Sequence, residues 1–200
     1  SLESLTKLEY EGLLVVENPV TSSPGLAFLL ATIAHFGEDG YLDYWRQLTS
    51  NGLVVVNDWE TAYYSNFSGS SGHGEQPMVL SYASSPAAEV IFADPPRSDA
   101  PTASLVARDT CFRQIEFAGI LRGTGNRRMA EKFMDFLLGV KFQEDIPLQM
   151  FMFPVNPAAK LPDIFKQFAQ IPDNPATLSP DLIEANREKW LEEWTEVVLQ

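Results

Sequence analysis

Two hydrophobic rhythms alternate along this chain. Compact β-branched and apolar runs, "LLVV" at 13–16, "LVVV" at 53–56 and "MVL" at 78–80, are bounded by Gly, Asn, Asp and Pro and predict three short strands. Between them, "GLAFLLATIAHFG" is apolar nearly all round, which predicts a buried helix opened by Pro24 and closed at Gly37. "YLDYWRQLTSNG" is amphipathic and stops at Asn51-Gly52, "WETAYYSNF" has helical spacing, and "SSPAAEVIF" starts a further helix. Strands alternating with helices predict an α/β fold with a mostly parallel sheet. The Gly/Ser-rich residues 68–76 read as a loop.

The second half is less regular. Residues 93–102 hold three prolines and predict an exposed connection. "CFRQIEFAGIL" alternates as a strand would, with Cys111 a small buried residue on it. "NRRMAEKFMDFLLG" is an amphipathic helix with Met129, Phe133, Phe136 and Leu137 on one face, and "LQMFMFPVNP" reads as short and extended. Ser1 caps a short opening helix, and Ser179-Pro180 opens a charged closing one.

Charge narrows the function classes. Acidic residues number 27 against 14 basic, a net charge of −13 that repels nucleic-acid backbones and anionic lipid. No stretch reaches the ~18–20 apolar residues of a membrane span. A single cysteine excludes an internal disulfide, and neither His35 nor His73 has a partner at metal-ligand spacing, so no metal site is expected. The chain has no initiator Met and opens at once on a helix-like segment, which reads as a cut within a longer protein.

Three features bear on chemistry. Ser22-Ser23-Pro24 and Ser84-Ser85-Pro86 share one grammar, in which Ser23 and Ser85 are the expected helix N-caps with proline at the first helical position. Ser179-Pro180 has the same grammar with nothing functional around it, so a cap alone is no site. Ser22 and Ser84 would then remain at the carboxyl ends of parallel strands, where α/β sheets hold ligands and where a helix dipole favours an anion. Trp59 and Tyr82 stand at neighbouring strand ends, placed to pack against a ring and to add cation–π attraction if that ring is charged. Gly123-Thr124-Gly125 lacks the third glycine of a dinucleotide loop and reads as a tight turn. Tyr63-Tyr64 point about 100° apart on a helix, too far to clamp one ferric ion. No nucleophile–base–orienter set and no cofactor motif is present, so the expectation is a binding protein and not an enzyme.

"VVENPVTSSPGLAFLL", "VNDWETAY", "MVLSYASSPA" and "FMFPV", in that order, resemble the thiamine-binding subgroup of bacterial solute-binding proteins that feed ABC importers. The resemblance implies a type II periplasmic binding fold, with one lobe built on a mostly parallel sheet flanked by helices and followed by C-terminal helical segments. On this reading residues 1–110 form the ligand-binding lobe, residues 111–200 complete it and the hinge side, and most of the first lobe is absent from the chain. It implies ligand contacts from Ser22, Ser23, Trp59, the run Tyr82, Ala83, Ser84 and Ser85, and Phe151. It also implies thiamine or a thiamine phosphate as ligand, a membrane ABC permease as partner, a monomer, and a periplasmic or extracytoplasmic location with or without a lipid anchor. Ala88 and Phe151 stand where the family often has tyrosine and tryptophan, and residues 68–76 and the proline-rich stretch look like insertions. Another small solute (a polyamine, an anion or ferric iron), a thiamine-precursor enzyme on the same fold, and a membrane-tethered sensor are the alternatives.

Overall fold

A computed structural model describes residues 1–71 and 73–199. The chain divides into two compact units: Ser1–Tyr82 with Leu105–Gln114 and Ile171–Gln200, and Ala83–Ser104 with Ile115–Gln170.

The first unit is built on the three predicted strands, β1 (Leu14–Glu17), β2 (Val54–Val56) and β3 (Met78–Val79). They form one parallel sheet in the order β2-β1-β3, with Val15 opposite Val54 and Val79. Two 3-10 turns, Glu3–Thr6 and Leu8–Tyr10, replace the single opening helix. Between β1 and β2 run α1 (Ser23–Phe36) and α2 (Tyr41–Ser50). Between β2 and β3 run a wide-turned π-helical stretch, Thr61–Asn66, and the four-residue α3 (Ser68–Ser71). The loop expected at 68–76 is therefore partly helical, and Gly72 within it lies outside the described residues.

Because β1 is central, its two outward connections leave in opposite directions, and right-handed crossovers place them on opposite faces of the sheet. The packing agrees. Val16 joins α1 and α2 in the main core, whereas β1 also packs against Thr61–Asn66, where Ala62 and Tyr63 are buried. A long closing helix, Pro180–Val198, packs on α2, with Trp45 and Trp194 edge to face at 5.5 Å. Thr32 sits at the centre of this core. Its hydroxyl accepts from the Trp45 indole N–H at 2.9 Å and donates to the Leu29 carbonyl at 2.7 Å.

The second unit is helical, with no strand among its described residues: Ser85–Ile91 (α4), Arg127–Leu138 (α5), Val140–Met150 (α6) and Asp163–Phe168 (α7). The closing helix of the first unit is α8. Phe165 is fully buried and meets Phe153 edge to face, and the Gln143 side chain ties the end of α5 to residues 155 and 156.

Four expectations change here. The strand predicted for "CFRQIEFAGIL" does not form: Phe112 makes one isolated bridge to Ala176, and residues 113–121 pair with nothing among the described residues. The alternating pattern is real, but a strand needs an edge to pair with. Cys111 is accordingly half-buried and lies off any strand. Leu148 to Met150 belong to α6 rather than to an extended run, because the helix continues through Pro147. The apolar face of α5 exists, yet no residue of that helix is buried. Around Gly123, with φ 84°, the chain turns as expected.

Replacing Thr32 by Val keeps its shape and removes the acceptor, which orphans a buried indole N–H. We expect Thr32→Val to lower stability by about 1–3 kcal/mol, read from the urea midpoint, with little change in fold.

Candidate functional site

The sheet order places a crevice at the carboxyl ends of β1 and β2, whose onward connections lie on opposite faces. Two turns leave the sheet there and are tied together. Asn18 Oδ1 accepts from the Val20 N–H at 2.9 Å, the Thr21 hydroxyl donates to the Asn57 carbonyl at 2.6 Å, and the Asn18 and Asn57 side chains meet at 3.4 Å. Pro19 fits a segment that must leave the ladder at once.

Straight after this turn α1 begins. Ser22, not Ser23, is the cap residue: its backbone is extended and its carbonyl accepts from Leu26 N–H at 3.0 Å. Ser23 is the first helical residue and is exposed. The Ser22 side chain makes no capping hydrogen bond, in contrast to Ser179, whose hydroxyl accepts from the Leu182 N–H at 3.2 Å. The first turn of α1 presses on the strand end so closely that a Cβ at Gly25 would stand 2.4 Å from the Glu17 carbonyl oxygen. Only glycine allows that approach.

Beyond β2, Asp58 accepts from the Thr61 N–H at 2.8 Å and its hydroxyl at 2.9 Å, and these bonds hold its carboxyl below the usual aspartate range. Trp59 then projects into an aromatic cluster. It stacks on Tyr63 at 4.7 Å and 21°, meets Tyr64 edge to face at 5.6 Å, and lies 6.2 Å from Tyr82 at a 52° tilt. Its indole N–H donates to the Ser81 hydroxyl at 2.9 Å. Tyr82 is 46% exposed, so the cluster has an open side. Tyr63 and Tyr64 stand perpendicular at 5.5 Å, and no group of three or more His, Cys, Asp or Glu able to hold a metal occurs among the described residues.

The structure thus places Ser22, Ser23, Trp59 and Tyr82 in the first unit and directly joins Trp59 with Tyr82. Ala83, Ser84, Ser85 and Phe151 belong to the second unit. There, Ser84 rather than Ser85 is the cap of α4, again without a side-chain capping bond, and both serines are buried. The Ala83 carbonyl is occupied, accepting from the Ser104 hydroxyl and the Gln170 N–H. Phe151 follows α6 in a left-handed conformation, φ 56°, and packs edge to face on Phe92 at 5.1 Å.

Sequence reasoning missed Glu17, Asn18, Asn57, Ser81 and the stacking role of Tyr63. The four-residue step from Trp59 to Tyr63 was the available signal. Glu17 is the sharper omission: it is fully buried at the end of the central strand, and neither carboxyl oxygen has a hydrogen-bond partner. Burial raises its pKa from 4.5 to about 8, and the negative charge of Asp58 adds to the rise.

A buried binding crevice at a strand switch point, lined by aromatics and one ionised carboxylate, defines a small-molecule binding protein. The chain belongs to the bacterial extracellular solute-binding protein family, whose sequence model matches residues 1–169. Its relatives include the thiamine-binding periplasmic proteins of Brucella suis, 31% identical over 97% of this chain and 55% of the relative, and of Escherichia coli, 28% identical over 99% and 57%. The solved structure of a periplasmic thiamin binding protein superposes with a TM-score of 0.76 at 27% identity, covering 99% of this chain and 58% of that one. A ferric binding protein from Campylobacter jejuni shares the fold at a TM-score of 0.63 and 15% identity, covering 98% of this chain and 62% of that one. The chain spans little more than half the length of the curated relatives it matches.

The folded chain keeps the Glu17 proton where the unfolded chain has lost it, so stability falls as pH rises from 4.5 toward 8. This one group contributes a slope of up to ~1.4 kcal/mol per pH unit. We expect Glu17→Gln to match the parent near the acid end and to exceed it in urea midpoint at the alkaline end. An equal difference at both ends would contradict the assignment.

Proposed function

We propose that this chain is the ligand-contacting part of a periplasmic solute-binding protein that delivers thiamine, or a thiamine phosphate, to an ABC permease. The observation that carries the reading is the open aromatic cluster of Trp59, Tyr63 and Tyr82 beside the ionised Asp58. Such a cluster suits a flat, positively charged ring: faces and carboxylate attract the cation together, with ~0.5–2 kcal/mol from cation–π contact. The printed names of the relatives from Brucella suis and Escherichia coli support thiamine as that cation.

Ser22 and Ser23 stand at the positive end of a fourteen-residue helix and suit the hydroxyl or phosphate end of the ligand. Ala83, Ser84, Ser85 and Phe151 keep the contact role implied by the family resemblance, and the same titrations test it. Catalysis has no part in this reading, since the work of the site is capture and release. A polyamine is the second reading, favoured by the acidic neighbours of Trp59, Asp58 and Glu60.

Calorimetry with thiamine, thiamine monophosphate and spermidine tests this. We expect thiamine binding, weaker by about tenfold or more than in a protein spanning the relatives' full length, which corresponds to ~1.4 kcal/mol. Trp59→Ala should weaken both thiamine compounds by about tenfold or more, whereas Ser22→Ala and Ser23→Ala should weaken the monophosphate selectively. Tighter binding of spermidine, or no heat with thiamine at millimolar concentration, would overturn the assignment.

A further inference from the structure

The second unit carries two neighbouring elements whose apolar faces are covered by nothing. In residues 115–121 every second position is presented outward: Ile115, Phe117 and Leu121 are 59%, 88% and 82% exposed. The turn at Gly123 follows, and then α5, on which Met129, Phe133 and Phe136 all stand more than half exposed at helical spacing. A cavity of about 430 Å³ opens between that turn and Phe133 and Met134. Monomeric soluble proteins rarely leave contiguous apolar surface of this kind open.

The two periodicities state what the cover must be. A segment alternating with period two is a strand that lacks a ladder, and its unpaired N–H and C=O groups need a neighbouring strand. The amphipathic helix that follows a short turn later is what normally lies across the face of that same sheet. Extended segment, turn and helix are therefore half of a sheet-and-helix layer, and the missing half is a sheet. A second copy of the chain is a poor candidate, because the same face on the copy offers no strand among its described residues and would leave the ladder groups unpaired. The extent of the matches supplies the alternative: these 200 residues correspond to 55% and 57% of the Brucella suis and Escherichia coli relatives.

We infer that residues 115–121 and α5 form the docking half for a β-sheet belonging to the part of the family fold that these 200 residues do not span. Residues 115–121 add to that sheet as a strand through main-chain hydrogen bonds, and Phe133 and Phe136 pack on its face. This rests on family membership and surface chemistry, not on the identity of the ligand, so it stands or falls separately from the thiamine reading.

Hydrogen exchange tests it in two proteins: the 200-residue chain, and a chimera in which this chain replaces the matched portion of the Escherichia coli relative. We expect amides of residues 115–121 to exchange freely in the chain alone and about tenfold or more slowly in the chimera, with loss of apolar-dye binding. Equal exchange in both proteins would overturn the inference. So would concentration-dependent protection in the chain alone, which would identify a second copy as the occupant. A variant of the chain itself, Phe133→Asp with Phe136→Asp, should lose dye binding while the near-ultraviolet signal of Trp45, Trp190 and Trp194 stays. Loss of that signal would place the face inside the chain's own core and contradict the proposal.

Discussion

The close approach of α1 to the end of β1 is the constraint on which the crevice depends. At Gly25 no side chain can be accommodated, because the Glu17 carbonyl occupies its place. That contact fixes the start of α1 against the carboxyl end of the sheet's central strand. The intervening turn is short, and Asn18, Thr21 and Asn57 bind it to the turn after β2. Two strand ends, one helix N-terminus and the aromatic group on Trp59 are thereby held in one rigid neighbourhood of the first unit.

Burial of Glu17 is the counterpart of this tight packing. A carboxyl with no partner is costly as an anion in such a place, so the protein keeps it protonated around neutral pH. Asp58, two residues beyond the strand paired with Glu17, takes the opposite state. Its oxygens receive hydrogen bonds from Thr61 and stay ionised. One neutral acid and one anion therefore stand near the same strand ends, with the anion on the solvent side beside the aromatic faces.

Much of the first unit was legible in the sequence. "LLVV", "LVVV" and "MVL" give the three strands, and the all-round apolar "GLAFLLATIAHFG" gives the buried helix, because each run satisfies its own periodicity locally. The serine caps moved by one position, to Ser22 and Ser84, since helix ends are set by the first carbonyl that accepts a turn bond and not by residue type. Trp59 and Tyr82 were visible as strand-end aromatics. Ser81, the Trp59–Tyr63 stack and the isolation of Glu17 depend on which strands adjoin, and a single sequence does not display sheet order. The second unit was least legible for the same reason. Residues 113–121 carry a strand's pattern, and pairing, which decides whether a strand forms, is a property of a neighbour.

Trp59 offers the most direct test of the account. Trp45, Trp190 and Trp194 are buried in the core, whereas Trp59 is only half-buried, so a ligand stacking in the crevice should alter Trp59 emission and leave the others unchanged. Titration of thiamine against tryptophan fluorescence is predicted to give a saturable change in the parent chain that Trp59→Phe abolishes. A saturable change of the same size in Trp59→Phe would contradict the placement of the ligand at this crevice.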